Sequence, residues 1–155
     1  MSAKVAELKR QIEEAFPGAA VDARAVVPHE RDSEYREVKA AFGGKRWTEL
    51  SAAVVAAHRE SLPLLTPAAF RHLFPAFLIA SLGPERDLAF NNLDELAPPV
   101  DPAGLARFDE RTGPFSQAQR KALAGWLRWV KATQADDVPA DQLERALQHW
   151  EALPS

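Results

Sequence analysis

Residues 64 to 82 read Leu-Leu-Thr-Pro-Ala-Ala-Phe-Arg-His-Leu-Phe-Pro-Ala-Phe-Leu-Ile-Ala-Ser-Leu, and they constrain the fold more than any other stretch of the chain. Thr66 stands where a helix cap belongs, and Pro67 at the first helical position sacrifices no hydrogen bond. Phe70, Leu73, Phe74, Phe77, Leu78 and Ser81 then follow three-and-four spacing. A helix apolar on most of its faces must be enclosed by others. The expected fold is therefore all-α: an irregular single-domain bundle of six or seven helices around a central apolar helix near residues 67–82. Pro75 removes the hydrogen bond to the carbonyl of Arg71, which predicts a kink or a break there.

Glycine and proline divide the rest into helix-sized pieces. Val5, Leu8, Ile12 and Phe16 mark a first helix that ends at Pro17-Gly18. Residues 19 to 30 are too irregular to assign, and a brief extended piece is compatible with them. Asp32 or Ser33 can cap a second helix presenting Tyr35, Val38 and Phe42, with Gly43 as its left-handed stop. A third begins at Thr48 or Ser51 and turns Leu50, Val54 and His58 inward. Residues 84 to 102 read as a loop punctuated by Asn91-Asn92 and Pro98-Pro99, the weakest joint in the chain. A short helix runs from Asp101-Pro102 through Phe108. Ser116 to Gln119 forms a capping box before a helix to about Thr133. A last helix presents Leu143, Leu147, Trp150 and Leu153.

A chain of 155 residues fits one domain. Its net charge of −3 argues against nucleic acid as a partner, because such domains usually carry a basic surface. Without cysteine, thiolate chemistry and cysteine-bound metal are excluded. The start of the chain lacks the apolar run of a signal peptide. The longest apolar run, Leu73 to Leu82, has about ten residues where a membrane span needs about 20. A cytoplasmic protein with no membrane segment is expected.

Enzyme motifs fail on spacing. The residues three before His29, His58, His72 and His149 are Val26, Val55, Ala69 and Ala146, so no Glu-x-x-His pair exists. His29-Glu30 is followed by Arg31-Asp32-Ser33, which rules out a zinc-protease helix. Gly43-Gly44-Lys45 lacks the earlier glycine of a phosphate-binding loop, and no Gly-x-Ser-x-Gly is present. Neither a catalytic set, a metal site nor a cofactor is expected.

Two groups of residues remain as binding candidates. His58, Arg71 and His72 form the first. Arg71 and His72 are adjacent and point about 100° apart on a helix. Arg71 sits near a helix start, where a cation opposes the dipole, so it calls for a carboxylate partner or an anionic ligand. The second is the helix after Ser116, where Arg120, Lys121, Arg128 and Lys131 fall within about a 100° arc. Trp129 lies at the edge of that arc, and Arg128 with Trp129 suggests a partner anchor. Lys45-Arg46-Trp47 is a smaller basic-aromatic point, with Trp47 placed to pack on the following helix. His29, Glu30, Asp32 and Glu34 could attract a divalent ion, but Arg31 stands among them, and a solvated helix start explains them.

Three segments resemble a family of uncharacterised bacterial proteins: residues 41 to 50 (Ala-Phe-Gly-Gly-Lys-Arg-Trp-Thr-Glu-Leu), residues 58 to 65, and residues 66 to 78. The last block of the family usually reads Thr-Pro-Glu-Ala-Phe-Arg, then aromatics and Pro-Ala-Phe-Leu; Ala68 stands here where the glutamate is frequent. The resemblance spans roughly residues 28 to 82 and implies kinship without an activity. Some members carry cysteines near the segment matching Pro28-His29-Glu30, and residues 31 to 35 contain none.

These readings point to a non-enzymatic adaptor, regulator or inhibitor that works by contact with another protein. The alternative is a small enzyme or ligand-binding protein whose site gathers His58, Arg71 and His72 with a carboxylate from residues 84 to 101.

Overall fold

A computed structural model describes residues 2–152. Eight α-helices, joined by short 3-10 turns and with no strand, make up the regular structure of the described residues. They are α1 (Ala3–Ala15), α2 (Ser33–Phe42), α3 (Ala52–Ala57), α4 (Pro67–Leu82), α5 (Leu88–Leu96), α6 (Pro102–Thr112), α7 (Gln117–Gln134) and α8 (Ala140–Ala152). The all-α architecture agrees with the sequence, and the helix count exceeds it by at least one. Leu153, expected at the end of the last helix, lies outside the described residues.

The central helix is α4, which packs against α1, α3, α5 and α6. Phe70, Leu73, Phe74, Phe77 and Leu78 on it are fully buried, while Ile79 and Leu82 stay partly exposed. The Thr66 hydroxyl accepts from the Ala69 N–H at 3.2 Å and donates to the Ala25 carbonyl at 2.5 Å. One side chain thus caps α4 and ties it to the preceding irregular segment. The helix is continuous through Pro75, so of the expected kink or break there is no break. A lost helical hydrogen bond and the ring clash cost about 3 kcal/mol. Each large side chain buried around Pro75 returns about 1.5–3 kcal/mol, and packing holds the helix together.

A second layer forms where α7 lies between α1 and α8. Indole N–H groups stitch the layers. Trp126 donates to the Ser81 hydroxyl of α4 at 3.0 Å, and Trp150 donates to the Leu96 carbonyl at the end of α5 at 2.8 Å. Trp47 donates to the Phe16 carbonyl at 3.2 Å, which pins the turn before α3 to the end of α1.

Several local expectations are corrected. The segment expected to be a loop contains α5, because Leu88, Ala89, Leu93 and Leu96 form a buried helical stripe. Asn92, expected as turn punctuation, is fully buried and donates to the Phe77 carbonyl at 3.0 Å. α6 runs one turn past Phe108, to Thr112. In α3 the inward residue is Val55, while Val54 faces solvent. The left-handed residue after α2 is Gly44 at φ +74°, not Gly43. Residues 19 to 30 hold a 3-10 turn, Ala23–Ala25, and no strand. Their place is fixed by the Val21 N–H donating to Lys45 O and by Val26 O accepting from Thr66 N–H.

Candidate functional site

The His58, Arg71 and His72 group does not converge. His58 ends α3 with its ring edge-on to Phe42 at 5.3 Å. It lines a cavity of about 390 Å³ with Glu34, Glu37 and Glu60, and neither Arg71 nor His72 reaches that cavity. Among the described residues no group of three or more histidine and carboxylate side chains could hold a metal ion. Arg71 points the other way. Its guanidinium donates to the carbonyls of Glu110 and Arg111 at 2.9 and 3.1 Å, in the last turn of α6. Where a carboxylate partner or an anionic ligand is expected, Arg71 meets a helix C-terminus, whose carbonyls and negative dipole end also suit a cation. Burial lowers the Arg71 pKa and the nearby Glu110 carboxylate works against that shift. His72 is half-buried beside it on α4.

The α7 candidates also separate. Arg128 is exposed and pairs with Glu151 of α8 at 3.6 Å. Trp129 is 5% exposed and cannot serve as a projecting anchor. The apolar arc of α7 is wider than one contact requires, because both α1 and α8 pack on it, and Trp129 falls inside that arc.

The most buried of the ion pairs among the described residues leaves no mark in the sequence. Arg111 on α6 is 4% exposed. It donates to the carbonyls of Leu65 and Leu62 at 2.7 and 2.8 Å and to the Glu95 carboxylate of α5 at 2.8 Å. Its guanidinium carbon also lies 4.3 Å from the centre of the Phe70 ring of α4. Burial pushes the Arg111 pKa down, and the Glu95 charge pushes back. One turn earlier, Arg107 donates to the Pro63 carbonyl at 2.7 Å. The two arginines bind the carbonyls of Leu62 and Pro63 in the 3-10 segment Arg59–Leu64 and that of Leu65 after it. A cavity of about 260 Å³ borders the cluster, with Asp94 and Gly104 on its wall. No local motif points to Arg111, since its partners are remote in sequence. Its chemistry is that of a satisfied structural clamp.

A further surface feature is a groove of about 330 Å³ with a mostly apolar lining. Val5, Lys9 and Glu13 of α1 form one wall, each a turn apart. Trp47, Leu50 and Ala52 form the facing wall, and Ala76, Ile79 and Leu82 of α4 lie along the floor. The bond from Trp47 to Phe16 O places the indole near the Glu13 end of α1. Of the aromatic and charged residues that the sequence singles out, only Trp47 borders this groove, and the role expected of it is packing alone. No helix among the described residues is long and apolar enough to cross a membrane. Comparison with protein-family models, with curated proteins and with solved structures finds no match to this chain, so the likeness over residues 28 to 82 rests on the residues quoted for it.

Proposed function

We propose that this protein works by binding another polypeptide, and that the groove between α1 and α4 is the surface it uses. The observation that carries this reading is the groove's composition. Mostly apolar side chains, Trp47 among them, line a concavity of about 330 Å³, and charged residues stand only on its α1 wall. Recognition sites on proteins are typically concave and mostly apolar, with a few polar groups that set orientation. The other candidates support contact over chemistry. Arg71 and Arg111 are committed to backbone carbonyls, and His58 faces carboxylates without Arg71 or His72. We place this activity in the cytoplasm, which suits a chain without cysteine.

A photo-crosslinking phenylalanine analogue at position 82, compared with one at Glu37 on α2, tests the proposal in cells that make the protein. A discrete polypeptide adduct from position 82, absent from position 37 and lost with Ile79→Arg, is the expected result. Indistinguishable adducts from the two positions, or none from position 82, would overturn it.

A further inference from the structure

The groove that we propose as the docking surface also carries information about its occupant. On the footing of that docking role, we infer that the occupant is an amphipathic α-helix of about two turns, with an acidic and a basic residue four positions apart along one flank. Three observations on the groove lead there.

Its walls offer no backbone to pair with. α1 and α4 are helices, and the facing wall is a 3-10 turn leading into α3. A β-strand peptide gains its affinity by adding to an open sheet edge. Without such an edge its N–H and C=O groups would lose water unpaired. A helix satisfies its own backbone and brings only side chains to the groove.

The length fits as well. Val5 to Glu13 spans eight residue steps of α1, about 12 Å, which matches about eight residues of a helix lying alongside. Apolar positions at i, i+3, i+4 and i+7 of such a segment would face the floor at Ile79.

The rim charges set the polarity. Arg10 is held by Glu7 and Glu14 at 2.5 and 2.9 Å. Its neighbours Lys9 and Glu13 have no ion-pair or hydrogen-bond partner among the described residues, although they are one turn apart on the groove wall. Their spacing along α1 is about 6 Å, the rise of four helical residues. A partner helix with an acid opposite Lys9 and a base one turn away opposite Glu13 pairs both charges at once. Complementary charge at a rim fixes register and orientation more than it adds affinity.

The experiment is a selection of displayed peptides of fully random sequence, about twelve residues long, against the full chain. Enriched peptides should share an apolar stripe with an acid and a base four apart on its flank. Their affinity should fall at least tenfold with Ile79→Arg and with Ala52→Trp, both checked for an unchanged helical spectrum. Selection against a Lys9→Glu, Glu13→Lys double variant should return peptides with the charge order reversed. Peptides that need the groove but contain proline or ignore the charge swap would overturn the helix inference and leave groove binding intact. Failure to enrich any groove-dependent peptide overturns both, as does a dansyl-labelled fatty acid that occupies the groove in their place.

Discussion

The Arg111 guanidinium of α6 meets the Glu95 carboxylate of α5 at 2.8 Å, and both side chains are less than a tenth exposed. The pair forms where α5, α6 and the turn before α4 come together, so it joins segments that no local rule connects. Removing one member of a buried ion pair leaves the other charge unpaired and costs about 3–5 kcal/mol. Arg111→Met should therefore lower unfolding free energy by about that much in urea titration. The double variant with Glu95→Leu removes the stranded carboxylate and should recover part of the loss. Recovery stays incomplete because the Leu65 carbonyl still lacks its donor, at about 1–3 kcal/mol, whereas the Leu62 carbonyl keeps the Leu65 N–H at 3.3 Å. A single variant within about 1 kcal/mol of the parent would show that the pair is solvated.

Stability should fall on mild acidification through His149. Its ring lies edge-on to Phe108 at 5.1 Å, and burial holds its pKa below the usual 6.5, while the Asp109 carboxylate partly offsets that shift. Between the folded and unfolded pKa values the unfolded chain binds more protons, so stability rises with pH across that window. The contribution is complete above about pH 6.5 and is lost as the pH falls towards the depressed folded value. Melting temperature measured against pH should decline below that point, and His149→Gln should flatten this limb while leaving the carboxylate-dependent limb at lower pH. An unchanged profile in the variant would remove His149 as the cause.

Phe77 tests the position of the core. It is fully buried on α4 and lies 6.1 Å from the ring of Phe42, which carries α2 onto the central helix. Phe77→Ala should cost about 3–5 kcal/mol, the sum of lost transfer energy and a cavity the surrounding helices cannot close. A cost under about 1 kcal/mol by denaturant titration would mean that the core lies elsewhere.

Legibility in the sequence divides along a physical line. Caps and breakers act within four residues, so Thr66 with Pro67, and Ser116 with Gln119, announce two helix starts correctly. The apolar density of residues 70 to 82 likewise announces the central helix. Choices decided by packing stay hidden. Val54 and Val55 are chemically alike, and only the placement of α3 against α4 turns Val55 inward. Asn92 carries a turn-forming side chain into a helix because the Phe77 carbonyl accepts its amide. The placement of the candidate groups is hidden for a related reason. Helical projection places Trp129 beside cations but cannot show that it is buried, and charge near a helix start cannot show that Arg71 reaches the end of α6. The groove lies between elements far apart in sequence, and the residues of its floor read simply as core.

Arg71 and Ile79 stand on the same helix, and together they separate scaffold from surface. Arg71→Met removes a charged donor from the carbonyls of Glu110 and Arg111, so it should lower stability by about 1–3 kcal/mol. The groove does not include Arg71, so affinity for a groove-dependent peptide should stay within twofold when both proteins are fully folded. Ile79→Arg should show the opposite pattern. Ile79 is half-buried on the groove floor, where a longer side chain can lead its charge out to water, so the chain remains folded while peptide affinity drops at least tenfold. Denaturant titration and fluorescence anisotropy on the two variants read these effects separately. If Arg71→Met abolishes peptide binding at a temperature where the variant is still folded, docking involves the α4–α6 junction and the groove is the wrong surface.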